Sequence, residues 1–305
     1  MVLPRQTLRV PHLGGIDVGY RLSSSRPDPS KPTLVLIIPF TTTVDYYLPE
    51  FENPALTDKL NLLAIEPLGH GATKTKSETW TYWDTSIMAL QLLQALGIDR
   101  AFAMGTSQGG WIAVRMALLA PEKIQGLVLI GTSMDSESPK SRELGCWDGP
   151  AATSGFVKLG GDPTPQPATF EPGDDYYNFL MDIGYGKNVD AAKKAFWVNT
   201  IRNHYRGDEG KKRICMAAIN LASRDGLYER LPYVKCPVLW LQGTDDVVFS
   251  VANAQEGIKY FTNSPEAKLI PMEKGVHFLS YTHQKELHRD ILEFTDRWRR
   301  YTVKL

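Results

Sequence analysis

The sequence has no excess of charge of either sign: 34 Lys and Arg stand against 34 Asp and Glu. A neutral balance gives no reason to expect a nucleic acid or an acidic membrane surface as partner. Cysteine is scarce. Cys146, Cys215 and Cys236 are odd in number and lack metal-ligand spacing. They argue against a disulfide framework and for a reduced, intracellular chain, cytoplasmic by expectation. The opening MVLPRQTLRV lacks the apolar stretch of roughly 7–15 residues that a secretory signal requires. The longest apolar runs, such as Leu34 to Pro39, are far too short to span a bilayer. There is no internal repeat, no low-complexity tract, and nothing that calls for a metal or a cofactor. The closing Val303-Lys304-Leu305 ends in Lys-Leu like the peroxisomal Ser-Lys-Leu signal but with Val in place of Ser. An ordinary tail is the expected reading, with peroxisomal targeting as the alternative.

What is present is an ordinary globular composition, 43% hydrophobic and 22% charged over 305 residues. That is enough chain for one large domain with an insertion, or for two domains. Thr7 to Val10 and Ile16 to Leu22 predict an opening strand pair, turned by Gly14-Gly15. Thr33 to Ile38 is apolar on both faces, which predicts a fully buried strand. Leu62 to Ile65, Ala101 to Met104 and Ile124 to Ile130 predict further strands. Tyr82 to Leu96 and Gln108 to Ala120 predict helices, stopped by Gly97 and Pro121. Strand, helix and strand in this order imply right-handed crossovers and a parallel sheet covered on both sides.

The pattern breaks after Gly131. Residues 134–232 are rich in Gly, Pro and charge and hold no convincing buried strand. Helical stretches are expected at Asp174 to Asp182, Asp190 to Tyr205 and Gly210 to Leu221. Strands return at Val238 to Gln242 and Ala267 to Ile270, and Gln284 to Tyr301 predicts a closing helix. The expected organisation is a core of residues 1–133 and 233–305 with a mainly helical lid, 134–232, inserted into it. The aromatics Trp147, Phe156, Tyr176, Tyr177, Phe179, Phe196 and Trp197 argue against a disordered linker.

Chemistry concentrates at Gly105-Thr106-Ser107-Gln108-Gly109, a G-x-S-x-G pentapeptide. By composition such a match arises by chance in on the order of one chain in ten of this length. Its place between a predicted strand and a predicted helix is what gives it weight. A serine in so tight a turn needs small neighbours, which Gly105 and Gly109 supply. The following helix turns its free N–H groups towards any anion that forms there. A serine hydroxyl also needs a base to take its proton and an acid to hold the base. Asp245 and Asp246 follow the VLWLQ strand, and His277 follows the AKLI strand. These are the carboxyl ends of parallel strands, where such sheets place their sites.

With Ser107, an aspartate and His277 in this order, the chain resembles the α/β-hydrolase superfamily, in its branch with a lid between the sixth and seventh strands. The resemblance covers about residues 16–133 and 233–300. It implies an α/β fold with a mostly parallel sheet flanked by helices. It also implies that the acid lies three residues after Gly243, at Asp246. Asp245 is then expected to brace the loop, and Asp135, after the sixth strand, is a reserve candidate. The Gly-x-His-Phe context of His277 fits the family. The remaining histidines, His12, His204, His283 and His288, are expected in surface or packing roles. The oxyanion hole would draw on the backbone amides of Gln108 and of Phe40, with Thr41 as alternative donor. Pro39-Phe40-Thr41-Thr42 stands where the family often has His-Gly, so the shape of that loop departs from the pattern. Glu66-Pro67-Leu68-Gly69-His70-Gly71-Ala72-Thr73 resembles the family's Asp-x-x-Gly-x-Gly-x-Ser loop, with His70 expected to be structural. Thr41, Trp111 and Phe278 adjoin these positions and are expected to touch substrate.

The activity implied is hydrolysis of an ester, thioester or lactone of a small to medium hydrophobic acyl compound through an acyl-enzyme. More loosely, GTSQGGW followed by GLVLIGTSMDSES is similar to α/β-hydrolases of fungal secondary-metabolite and toxin pathways. Two alternatives belong to other classes: C–C bond hydrolysis on the same triad, and a ligand-binding homologue without catalysis. An aspartate does not stand where Ser107 does, which disfavours dehalogenase and epoxide-hydrolase chemistry.

Overall fold

The computed structural model describes residues 2–303. Lys304 and Leu305 of the C-terminal tripeptide lie outside the described residues. Nine strands form one sheet: β1 Gln6–Val10, β2 Ile16–Leu22, β3 Thr33–Ile37, β4 Asn61–Ile65, β5 Lys74–Thr75, β6 Ala101–Thr106, β7 Ile124–Ile130, β8 Val238–Gly243 and β9 Ala267–Met272. Their order is β1-β2-β4-β3-β6-β7-β8-β9, with the two-residue β5 beside β2. From β4 to β9 every pairing along that order is parallel; β2 pairs antiparallel with β1, β4 and β5, so β2 alone runs against the other strands.

The helices are α1 Leu48–Phe51, α2 Pro54–Thr57, α3 Tyr82–Ala95, α4 Gln108–Leu119, α5 Pro139–Glu143, α6 Gly149–Gly160, α7 Asp174–Tyr185, α8 Ala191–His204, α9 Gly207–Ala222, α10 Val251–Gly257, α11 Leu279–Thr282 and α12 Gln284–Trp298. Helices α5 to α9 all fall between β7 and β8. That is the mainly helical stretch expected after Gly131. Among the described residues no helix is long and apolar enough to cross a membrane. The three cysteines are buried and unpaired.

The sheet separates two apolar cores, and β3 shows why its sequence is continuous rather than alternating. Val35 and Ile37 enter one core, while Leu34, Leu36 and Ile38 enter the other. A strand buried on both faces reads as an unbroken apolar run. Helix α3 starts on a capping box: Thr81 Oγ1 accepts from the Asp84 amide and the Asp84 carboxylate accepts from the Thr81 amide. Such reciprocal caps satisfy two of the free N–H groups of a first turn.

Helix α6 has no counterpart in the sequence expectations. Its Gly149, Gly155 and Gly160 read as breakers; Gly149 and Gly160 sit where a Cβ would meet a neighbour, whereas a Cβ on Gly155 would meet nothing within 4 Å. Asp148 caps its start by accepting from the Ala151 amide at 3.0 Å, and Pro150 lies in the first turn, where no N–H is missed. At its other end Gly160 brings α6 against α9. A Cβ there would lie 3.0 Å from Ile219 and 3.2 Å from Cys215.

Candidate active site

The turn from β6 into α4 holds Ser107 in a conformation rare for a residue with a side chain, φ 54° and ψ −123°. The surrounding glycines make this turn sterically possible. A Cβ on Gly105 would meet the Gly109 carbonyl oxygen at 2.0 Å, and one on Gly109 would meet the Ile37 carbonyl oxygen at 2.3 Å. A Cβ on Gly110 would strike Thr132 at 2.4 Å. Hydrogen bonds then hold the turn in place: the Ser107 amide donates to Ile130 at 2.9 Å, and the Ser107 carbonyl accepts from Thr132 Oγ1 at 2.8 Å.

Two further strand ends bring up the acid and the base. His277 Nδ1 lies 3.0 and 2.9 Å from the two carboxylate oxygens of Asp246. The carboxylate is itself fixed from the other side. Its Oδ1 accepts from the amides of Val248 and Phe249 at 2.8 and 3.0 Å, and its Oδ2 accepts from Gln242 Nε2 at 2.8 Å. Gly131, at φ 50°, lets the end of β7 close on this pair, since a Cβ there would lie 2.6 Å from the His277 carbonyl oxygen.

The other acids considered lie elsewhere. Asp245 is exposed, with its amide donating to Gly275 at 2.9 Å and its side chain beside Thr244. Asp135 is buried, but its carboxylate accepts from Ser138 at 2.5 Å and from Ser136 at 3.4 Å. His277 is therefore paired with Asp246 and with neither of the alternatives.

Ser107 and His277 line the same narrow cavity, together with Phe40 from the loop after β3 and Phe278. No hydrogen bond joins Ser107 Oγ to His277 in this structure; such contacts commonly tighten when substrate binds. Gln108, next to Ser107, opens helix α4, and first-turn amides have no partner within their helix. Helices α6 and α7 supply Phe156, Tyr176 and Phe179, and Trp147 precedes them. Trp147 and Phe179 stack at 6.3 Å, and Phe156 meets Tyr176 edge-on at 5.0 Å. Among the described residues, no Lys, Arg, Asp or Glu lines the cavity. Its volume is about 30 Å³, room for about one or two waters.

Of the three residues expected to touch substrate, Phe278 lines the cavity and packs 5.4 Å from the His277 ring. The other two are not among the residues that line it. Trp111 is 1% exposed and lies under the sheet side of α4, with the Arg224 guanidinium 4.1 Å above its ring and Phe249 at 5.3 Å. The fourth position of α4 turns into the core, away from the cavity. Thr41 is likewise buried behind the wall, where its hydroxyl donates to the Phe40 carbonyl at 2.9 Å and lies 2.7 Å from the Tyr176 hydroxyl.

His70 sits beneath the cavity. Its Nδ1 donates to the Leu68 carbonyl at 3.0 Å, which leaves Nε2 to accept from Gln108 Nε2 at 3.0 Å. Tyr82 donates to the other end of the same Gln108 side chain at 3.1 Å. Burial holds the His70 imidazole down at about 4, so it is neutral near pH 7. Gly69 and Gly71 take positive φ in this loop. The remaining histidines stand outside the cavity. His12 pairs with Asp84 at 2.8 Å, His288 bonds Asn53 at 2.7 Å and Glu50 at 3.3 Å, His204 bonds the Thr200 carbonyl at 3.0 Å, and His283 is half-buried before α12.

Sequence reasoning did not reach Gln242, Thr132 or Gly131. Each acts through a neighbour, and nothing in the spacing of a chain signals a second layer of hydrogen bonds. The aromatics of α6 and α7 were visible as a cluster, but not their direction.

A parallel sheet with a serine on a strained strand-to-helix turn, and an acid–histidine pair on later strand ends, defines the class: the α/β hydrolases. Residues 32–284 match the family model for the alpha/beta hydrolase fold, and the chain belongs to that family. Two curated relatives illustrate its range. "Putative carbamate hydrolase RutD" of Agrobacterium fabrum is 31% identical over 282 residues, covering 88% of this chain and 95% of that protein. A 2-hydroxy-6-oxononadienedioate/2-hydroxy-6-oxononatrienedioate hydrolase of Dechloromonas aromatica is 24% identical over 203 residues, covering 67% of this chain and 64% of that protein. The chain spans less than two thirds of several curated relatives, 43%, 64% and 62% in three of them. Among solved structures, the α/β-hydrolase MGS-M2 from a Medee basin deep-sea metagenome library superposes with a TM-score of 0.75 at 17% identity, covering 98% of each chain. At that identity the likeness speaks for the fold.

Proposed function

We propose that this hydrolase cleaves an ester, thioester or lactone bond of an uncharged, hydrophobic acyl substrate, with Ser107 as nucleophile. The observation that carries this reading is a cavity walled by aromatics that also contains Ser107 and the Asp246-paired His277. Ser107 Oγ attacks the carbonyl carbon while its proton passes to His277 Nε2, the nitrogen left free by the Nδ1 contact with Asp246. Asp246 holds the ring in orientation and stabilises the imidazolium. The amides of Phe40 and Gln108 donate hydrogen bonds to the oxyanion. Collapse breaks the bond to the leaving group, which takes the proton from His277. Water then enters by the same route in reverse roles, releasing the acid and restoring Ser107.

The wall chemistry separates this reading from cleavage of a dicarboxylate such as the dioate named for the Dechloromonas relative. A buried carboxylate needs a cation or several hydrogen-bond donors. Among the described residues, no Lys or Arg lines this cavity. Segment 134–232 would act as the lid. The aromatics of α6 and α7 would close over an acyl group held in this cavity. The fungal-pathway resemblance adds a polyketide- or fatty-acid-derived acyl group as the natural class to try.

The test is a panel of p-nitrophenyl esters, acyl-CoAs and lactones of rising chain length, beside a 6-oxo-dienedioate. Turnover of uncharged acyl substrates at kcat/KM at least about a hundredfold above the dioate is expected. A preference for the dioate would overturn the reading. A free thiol appearing from acyl-CoA separates thioester from lactone cleavage.

A further inference from the structure

Thr41 stands immediately after Phe40 in the loop that would supply the second oxyanion donor. Its φ is 55°. For a β-branched residue this left-handed conformation is strained and persists only where its surroundings hold it. Two contacts do so. Thr41 Oγ1 donates to the Phe40 carbonyl at 2.9 Å, and the Tyr176 hydroxyl lies 2.7 Å from the same Oγ1. With the Thr41 proton engaged on Phe40, the phenol is the donor in the second bond. A chain of hydroxyls thus runs from Tyr176 through Thr41 to the peptide of Phe40.

Tyr176 does not belong to the sheet domain. It lies on α7, in the helical segment between β7 and β8, and its ring lines the cavity against Phe156. Burial of the phenol pushes its ionisation well above the usual tyrosine range, so it remains an O–H donor throughout the working pH range. Among the residues that line the cavity, Tyr176 is the one whose side chain hydrogen-bonds the loop carrying Phe40. A second contact from the same segment is purely apolar: Ala217, Ala218 and Leu221 of α9 pack on the Phe40 ring.

We propose that Tyr176 is a positioning residue for the oxyanion loop, its hydroxyl bond to Thr41 coupling the seating of the inserted helices to the placement of the Phe40 amide. This rests on the serine-hydrolase reading given above. When α7 is seated, the bond holds Thr41 in its left-handed turn and the loop in the shape that aims the amide. When α7 swings away to admit substrate, the loop is released. Chemistry is thereby favoured only with the segment closed over the acyl group.

The test is a double-mutant cycle on hydrolysis of p-nitrophenyl butyrate by the full chain. Tyr176→Phe keeps the ring and its packing on Phe156 and removes only the hydroxyl. Thr41→Val removes the accepting oxygen, and Thr41→Ser keeps it. Each of Tyr176→Phe and Thr41→Val is expected to lower kcat by about tenfold, below the loss for a direct oxyanion donor, with KM changed by less than about twofold. The double variant is expected to match Thr41→Val alone, because the bond that Tyr176→Phe removes is already lost with the Thr41 hydroxyl. Thr41→Ser is expected to retain at least about half of kcat. Fluorophosphonate labelling of Ser107 and the thermal midpoint report that Tyr176→Phe remains folded.

Unchanged kcat in Tyr176→Phe overturns the proposal, as does an additive loss of about a hundredfold in the double variant. If Thr41→Val does not fold, Tyr176→Phe in the Thr41→Ser background, expected to match Tyr176→Phe alone, decides instead. Wild-type protein that neither turns over the ester nor takes the label would overturn the hydrolase reading itself. A wild type that does both, with Tyr176→Phe indistinguishable from it, overturns this inference alone.

Discussion

His277 Nδ1 meets both carboxylate oxygens of Asp246, at 3.0 and 2.9 Å, while Asp245, one residue earlier, points into solvent. The choice between adjacent aspartates is made by the turn after β8. The Gly243 carbonyl accepts from the Asp246 amide at 3.4 Å, and the Met272 carbonyl accepts from the Thr244 amide at 2.9 Å. That geometry folds residue 246 inward and leaves residue 245 outside.

Asp246→Asn is accordingly expected to reduce kcat on the order of 10³–10⁴-fold, because an amide presents a donor where His277 Nδ1–H needs an acceptor. Asp245→Asn is expected to stay within about twofold of wild type, as surface changes usually do. Steady-state kinetics on one chromogenic ester checks both. Equal losses in the two variants would contradict the assignment of the acid.

The glycines make opposite predictions according to their surroundings. Gly109→Ala would drive a methyl to 2.3 Å from the Ile37 carbonyl oxygen, a backbone atom that has no rotamer to escape into. A loss of about 1–3 kcal/mol or more is expected in urea unfolding. Gly155, in α6, has nothing within 4 Å of its Cβ position. Gly155→Ala is expected to stabilise by about 0.5–1 kcal/mol.

How much of this was legible beforehand divides along the same lines. The eight longer strands and the helices Tyr82–Ala95 and Gln108–Leu119 were readable, because period and punctuation agreed at each. The strand ends that carry Ser107, the Asp245-Asp246 pair and His277 were readable from local pattern, while the preference for Asp246 over Asp245 came from the family resemblance. Helix α6 was not readable, because three glycines lower its helix propensity and the packing of Gly160 on Cys215 and Ile219 leaves no local signal. Trp111 does not line the cavity, for a related reason. Its closeness to Ser107 in sequence says nothing of the helix face it occupies, and that face is covered by Arg224. Tyr176 meets Thr41 across 135 positions, a separation no local pattern bridges.

His70 makes stability fall on the acid side. Its ordinary value is 6.5 and burial lowers it to about 4 in the fold. The unfolded chain therefore binds a proton below about 6.5 that the folded chain refuses until about 4. The penalty is absent above about pH 6.5, grows as pH falls, and levels off below about 4 at about 3 kcal/mol. His70→Gln is expected to show a shallower decline between pH 7 and 4.5 in urea titrations. Parallel declines in the two proteins would contradict this.

Phe156 and Tyr176 both line the cavity and meet edge-on. Phe156→Ala is expected to move preference towards longer acyl chains by about tenfold or more in relative kcat/KM, since a methylene in an apolar pocket is worth about 1–3 kcal/mol. An unchanged chain-length profile would place the acyl group elsewhere.

The account's central claim is that Ser107 is the nucleophile, and fluorophosphonate labelling of wild type and Ser107→Ala, read by intact mass and by ester turnover, tests it most directly. The wild type is expected to gain a single adduct that maps to Ser107 and to lose activity in step with it. Ser107→Ala is expected to gain none and to hydrolyse no ester above background. Labelling or turnover that survives in Ser107→Ala would contradict the claim.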